Sequence, residues 1–518
     1  MHSFTHLSRY LRTPLLGVAF LLLSFTIGWT QTKPIEGIRE NTPKVHALVN
    51  ARIVQAPDRV IEKGTIVLRD GTIEAVGAGV KPSADARVWD YEGLTIYPGL
   101  IESYSHLGLA KEKKKPTQSS PDGGSQNSKT GAKHWNQYVT PEADILAKFK
   151  PKEEDLKKLR SLGFTAAVIA PDKGVFSGAS VLVSLDNGSI NEQLLKRDVA
   201  QNIMFKRPGR RRFGGGYPSS QMGVIALIRQ TLLDADWYRK AQAAYLQKPN
   251  GQRRPEADES LAALEETVLG KQLVLISIED DLNFLRAAKI VKAFNLNAMI
   301  LGSNHEYRQL ELVMASGMPV ILPVNFPEAP DVESPEDALN VSLQELSHWE
   351  AAPGNPARLL KSKIRVALTT AKLKKPEDFY KQIRLAIKAG LSESDALTAL
   401  TTTPASLLGM QSMLGSVDTG KLGHLVVTDG DLFKEKTKIL DVWIDGNRHE
   451  IKKRPDVDPR GKWQLTLNLP NVEGLKSELQ LKGEVEKFVK DTSSERKARK
   501  AEDNHRLHAL KHEGTTRD

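Results

Sequence analysis

A phenol at Tyr104 and an imidazole at His106 stand two residues apart in the run Tyr97-Pro98-Gly99-Leu100-Ile101-Glu102-Ser103-Tyr104-Ser105-His106-Leu107-Gly108. Side chains at i and i+2 of a strand leave on one face, so both are expected to look into the same cavity. An imidazole there can hold a divalent cation or move a proton. A phenol, neutral up to a pKa of about 10, is a poor metal ligand but can hydrogen-bond a substrate. Other chemistries lack their residues. The chain has no cysteine, hence no thiolate nucleophile, no cysteine-held metal and no disulfide framework. It has no Gly-x-Ser-x-Gly elbow, no phosphate-cradling Gly-x-x-x-x-Gly-Lys loop and no His-Glu-x-x-His helix. His134 and His348 precede Trp135 and Trp349 in expected loops, where packing is their ordinary role.

The run from Tyr97 to Gly108 resembles the first-strand signature of the amidohydrolase superfamily, Pro-Gly-Leu-Ile-Asp-x-His-x-His-x-Gly. Val139-Thr140-Pro141-Glu142 and Gly163-Phe164-Thr165 are similar to that family's Thr-Pro-Glu and Gly-Val-Thr-Thr elements. Ala399 to Gly409 and Leu414 to His424 are close to its Asn-Pro-Ala-x-x-Leu-Gly and Gly-Ser-Leu-x-x-Gly-Lys-x-Ala-Asp. The likeness runs from about residue 45 to 450 and is nearest the imidazolonepropionase-like exported branch. Tyr217 to Gln230 and the Asn325-Phe326-Pro327 region further resemble the ligand-eroded N-terminal half of large exported proteins built from two amidohydrolase-like halves.

That resemblance implies an α/β fold: a (β/α)8 TIM barrel of the metal-dependent hydrolase type, with a small β-sandwich formed by the N- and C-terminal segments. It implies hydrolysis of carbon–nitrogen, non-peptide bonds, for which bound Zn2+ must lower the pKa of water from about 15.7 to about 7. An aspartate after the eighth strand is the family's base. Carried over residue by residue, Tyr104 takes the place of the first histidine, His106 of the second, and Glu102 of the signature aspartate. The middle-strand histidine is missing from Leu273 to Ile278. His305 falls at or one residue beyond the place expected after Met299 to Asn304, and a one-residue offset turns a strand side chain to the other face. Leu368-Thr369-Thr370-Ala371 aligns with Leu-Gly-Thr-Asp, so Ala371 stands where the catalytic aspartate would be. The expected set is thus His106 and His305 for Zn2+, Tyr104 toward substrate, and no catalytic acid. His424, in place of an aspartate of the sandwich turn, reads as structural and remote from the barrel.

The elements that must position these residues follow from periodicity. Val45 to Val54, Gly64 to Arg69 and Thr72 to Gly77 read as strands, the last two joined by Asp70-Gly71, a hairpin turn pair. Gly423 to Gly430 and Ile439 to Gly446 form another strand pair. Between about residue 95 and 410, helical runs (Lys152 to Leu162, Asn283 to Asn295) alternate with strands (Thr165 to Ala170, Ala298 to Leu301, Pro319 to Leu322, Ile364 to Leu368), the pattern of a parallel α/β barrel. The domain layout expected is a signal peptide over 1–31, a composite sandwich over 45–94 and 412–450, the barrel over 95–411, a strand-like extension over 451–482 and a charged tail over 483–518.

Arg9 and Arg12 precede the short apolar run Leu15 to Ile27, an export signal too short to favour a membrane span. Export without disulfides fits a periplasm or cell envelope. The net charge of +10 is spread over Lys111 to Lys115, Lys206 to Arg212 and the tail, and no nucleic-acid motif accompanies it. Pro116 to Gly131 and Gly209 to Gly216 read as loops at the barrel mouth. Two functions compete: a hydrolase of a small cyclic amide or dipeptide-like substrate with a reduced metal site, and a non-catalytic scaffold or ligand-binding partner of an intact amidohydrolase. Simple solute binding in the same cavity is a third.

Overall fold

In the computed structural model the described residues are 44–109, 131–206, 217–453, 461–469 and 472–481. The expected signal segment, the 111–115 and 207–216 segments, most of the 116–131 loop and the charged tail lie outside them. Five strands come first, β1 (Val45–Ala56), β2 (Arg59–Arg69), β3 (Thr72–Gly77), β4 (Arg87–Asp90) and β5 (Thr95–Pro98). Ten follow: β6 (Leu100–Ser105), β7 (Phe164–Ile169), β8 (Phe176–Ala179), β9 (Val181–Ser184), β10 (Leu194–Lys196), β11 (Gln201–Met204), β12 (Val274–Ser277), β13 (Ala298–Leu301), β14 (Val320–Pro323) and β15 (Val366–Thr369). Then come β16 (Leu425–Thr428), β17 (Ile439–Ile444) and β18 (Asn447–Glu450), and a separate hairpin of β19 (Gly461–Leu469) and β20 (Val472–Leu481).

Segments 45–98 and 425–450 build one sheet, in the order β18-β17-β16-β5-β1-β2-β3, with β4 added beside β1. Asp70 and Gly71 have φ of 48° and 82°, the left-handed pair a tight hairpin needs. Leu48, Ile53, Ile66, Ile96 and Trp443 pack in the core of this sheet. Tyr91 and Arg448 close on the buried Asp441 carboxylate at 2.8 and 2.7 Å, so its charge is paired rather than stranded.

The middle of the chain forms two further sheets, β10-β9-β7-β6 and β15-β14-β13-β12-β11-β8. Within them β6 and β7 run parallel, as do β11 to β15. These are seven parallel strands among the described residues, where eight were expected. Between β7 and β11 the chain passes the segment Phe176–Ser184, whose first half pairs antiparallel with β11 and whose second half with β7. Period-2 alternation sorts the residues: Ile101, Ala166, Leu275, Met299, Ile321 and Ala367 form one core cluster. Phe164, Ile276, Ile300, Leu322 and Leu368 belong to another, with helix residues Phe284, Ala287 and Ile383. Helix Glu153–Ser161 is the crossover from β6 to β7 and Asp281–Phe294 that from β12 to β13, while Phe379–Lys388 follows β15. The first ends before Gly163 at φ 84°, as its glycine stop predicts. Among the described residues no helix is long and apolar enough to cross a membrane.

Candidate functional site at the strand ends

The carboxylate of Glu102 is fully buried on β6. Burial pushes its pKa up, against hydrogen bonds that favour the ionised form. Four donors serve it: the Thr369 hydroxyl, the Thr370 hydroxyl at 2.6 Å, the Thr370 amide at 3.0 Å and the Tyr104 amide at 3.2 Å. The Tyr104 carbonyl lies 3.1 Å from the same Thr369 hydroxyl and competes with Glu102 for its one hydrogen. Glu102 therefore fastens β6 to the end of β15 and has little acceptor capacity left for a ligand.

Tyr104 is 5% exposed. Its hydroxyl donates to the Pro171 carbonyl at 3.4 Å, and burial raises its pKa to about 12. His106 meets the Tyr104 ring edge-on at a centroid distance of 5.0 Å and is itself exposed. Its Nδ1 lies 2.7 Å from the Ala170 carbonyl. A carbonyl only accepts, so Nδ1 carries the hydrogen and Nε2 keeps the lone pair.

His305 follows β13 after Asn304, which holds a left-handed φ of 69°. Its Nδ1 donates to the Ser303 carbonyl at 3.1 Å, and its ring stacks on His348 at 4.0 Å and 10°. The Tyr307 hydroxyl lies 3.2 Å from His348 Nδ1. Burial, then the nearby His305 and Arg308, bring the His348 pKa down to about 4. The His305 pKa is lowered too, first by burial. His348 belongs to the helix Leu343–Ala351 and not to a loop, because Ser342 and Glu345 form a capping box that starts the helix there. Beside it opens a cleft of about 450 Å³ lined by Glu328, Asp331, Asp337, Glu345 and Trp349. His134 sits buried in a loop, its amide bonded to the Ser260 hydroxyl at 3.1 Å.

Ala371 puts a methyl group where the base was expected. The next residue, which the sequence reading passed over, reaches into the mouth: the Lys372 ammonium donates to the carbonyls of Gly302 and Ile278 at 3.0 and 3.3 Å. Its only sequence signal was its place one residue beyond Ala371.

His424 is structural but not remote from the central sheets. Its Nε2 lies 2.9 Å from Asp445 Oδ1, and Asp445 Oδ2 accepts from Ser184 on β9 at 2.7 Å. The expectation of distance failed because the β17–β18 turn folds back over β9.

A Zn2+ site needs several imidazole or carboxylate donors around one point. Among the described residues no three such groups come together. His106 and His305 each donate one ring hydrogen to a carbonyl, as metal-binding imidazoles do, so it is the missing third donor among the described residues that leaves the set short of a Zn2+ site.

Residues 348–449 match the sequence profile of the Amidohydrolase family. A stretch of 67 residues is 42% identical to imidazolonepropionase of Streptococcus gordonii, covering 12% of this chain and 15% of that protein's length. Among solved structures, an amidohydrolase from Thermotoga maritima is similar with a TM-score of 0.62 and 24% identity, over 78% of this chain and 98% of that one. The profile match over 348–449 and the short stretch of identity are similarities to amidohydrolases, and the structural likeness over most of the chain is a likeness of fold.

Proposed function

We propose that the two linked sheets form a closed barrel of the amidohydrolase type, flanked by a composite domain over 45–94 and 412–450, that has lost metal-dependent hydrolysis. In this reading the protein is exported and serves as a ligand-binding or scaffold partner of an intact amidohydrolase. The observation that carries it is the donor set at the strand ends. A phenol stands for one imidazole, Ala371 for the base, and Glu102 is saturated by four donors. Without a metal, bound water keeps a pKa near ~15.7, and among the described residues no group at the strand ends takes over the making of hydroxide at neutral pH.

A second reading has one observation in its favour: His106 is exposed with Nε2 open, so a weak carbon–nitrogen hydrolase built on His106 and His305, with Tyr104 toward substrate, competes with the first. Elemental analysis of the purified full-length chain separates them. The scaffold reading expects no stoichiometric zinc and no loss of thermal stability in chelator. One zinc per chain that disappears in His106→Ala, with amide hydrolysis that goes with it, overturns it.

A further inference from the structure

We infer that the Lys372 ammonium is the resident cation of the strand-end mouth, a covalently attached substitute for the metal that this donor set cannot hold. The inference goes beyond the loss of hydrolysis, because it assigns what fills the cation position.

Three elements meet at this nitrogen. Lys372 leaves the end of β15, and its ammonium donates to the Ile278 carbonyl just past β12 and to the Gly302 carbonyl just past β13. Neutral carbonyl oxygens at strand ends are cation donors with no hydrogen to offer, so they accept from an ammonium as they would bind a metal. The charges around it have the matching sign. Burial is the largest influence on Lys372 and lowers its pKa; against it stand Glu279 and the buried Glu306, itself held by the Ser303 amide at 2.6 Å and by Asn355 at 2.8 Å. Lys206 opposes them but is paired with Glu279 at 2.8 Å. The backbone is bent to the purpose: Lys372 has φ 64°, a left-handed conformation uncommon for a residue with a side chain. That turn sends the ammonium inward although the residue as a whole is exposed. An ammonium has three hydrogens. Two go to the carbonyls, and the third is left for a ligand oxygen, which it can orient but not activate for hydrolysis.

Three measurements on the full-length chain test this. Lys372→Met should lower the melting temperature by about 3 to 8 °C through the loss of two charge-assisted hydrogen bonds, while Lys375→Met at a neighbouring exposed site leaves it unchanged. In the unmodified protein, an acylating N-hydroxysuccinimide ester should label Lys372 at least tenfold more slowly than Lys375. Zinc alone, titrated into the protein, should show no saturable binding that depends on His106. Equal labelling of the two lysines, or equal melting of the two variants, overturns the inference and leaves the scaffold reading standing. His106-dependent zinc binding overturns both. If Lys372→Met does not fold, the labelling ratio alone decides.

Discussion

The stacked imidazoles of His305 and His348 make a pH-sensitive joint between the end of β13 and the helix Leu343–Ala351. The folded protein holds His348 down to about 4, first by burial and then by His305 and Arg308, whereas the unfolded chain keeps the ordinary value of about 6.5. Between those values the unfolded chain takes up a proton that the folded one refuses. The stabilisation is therefore complete above about pH 6.5 and is lost as pH falls toward 4. Because His348 is partly open to solvent, the effect is discounted to about 1 to 2 kcal/mol. Melting curves between pH 7 and 4.5 should fall less steeply for His348→Gln than for the unmodified protein; parallel curves would remove the joint from the account. Little of this was legible beforehand. His305 and His348 are 43 positions apart, and the capping residues that put His348 on a helix are two ordinary polar side chains, Ser342 and Glu345. The Glu102 clamp is a similar case, joining residues 267 positions apart in sequence.

At the scale of elements, local patterns were read well where burial follows a period. The strand Ala298–Leu301 falls where its apolar run put it, and the helix Glu153–Ser161 lies within the expected Lys152 to Leu162. What periodicity cannot reveal is a backbone that turns left-handed at a lysine, which is why Lys372 escaped notice while the empty position before it drew attention. The joint between β5 and β6 shows how tightly such elements fit. Gly99 donates its amide to the His424 carbonyl at 2.9 Å, and a Cβ there would press on the Thr165 side chain, 2.9 Å from Thr165 Cβ. Gly99→Ala should cost about 1 to 3 kcal/mol as an overpacked site, measured by denaturant titration. Pairing it with Thr165→Ala, which removes both the hydroxyl and the methyl that crowd the site, should recover part of the loss; no recovery would locate the strain elsewhere.

At the scale of the whole molecule, the family-level fold was readable because its signatures sit on the framework: the Pro-Gly turn into β6, the Asp-Gly hairpin and the segment leading into β16. The site was readable mainly as departures from the pattern it resembles, Tyr104 and Ala371 foremost. Its replacement contacts join positions far apart in the chain, and a single sequence carries no trace of such pairings. The sheet built from segments 45–98 and 425–450 has a consequence for biosynthesis. Strand β16 lies between β5 and β17, and Thr428 bonds back to Thr95 across 333 positions. Until the ribosome has released that late segment, β5 presents an open edge to everything around it. Pulse-chase proteolysis of stalled nascent chains should find residues 45–98 cleavable until β17 has emerged and protected afterwards. A protein whose first sheet waits for β16 and β17 makes the order of its synthesis part of its folding problem, and what covers β5 during that wait bears on its yield.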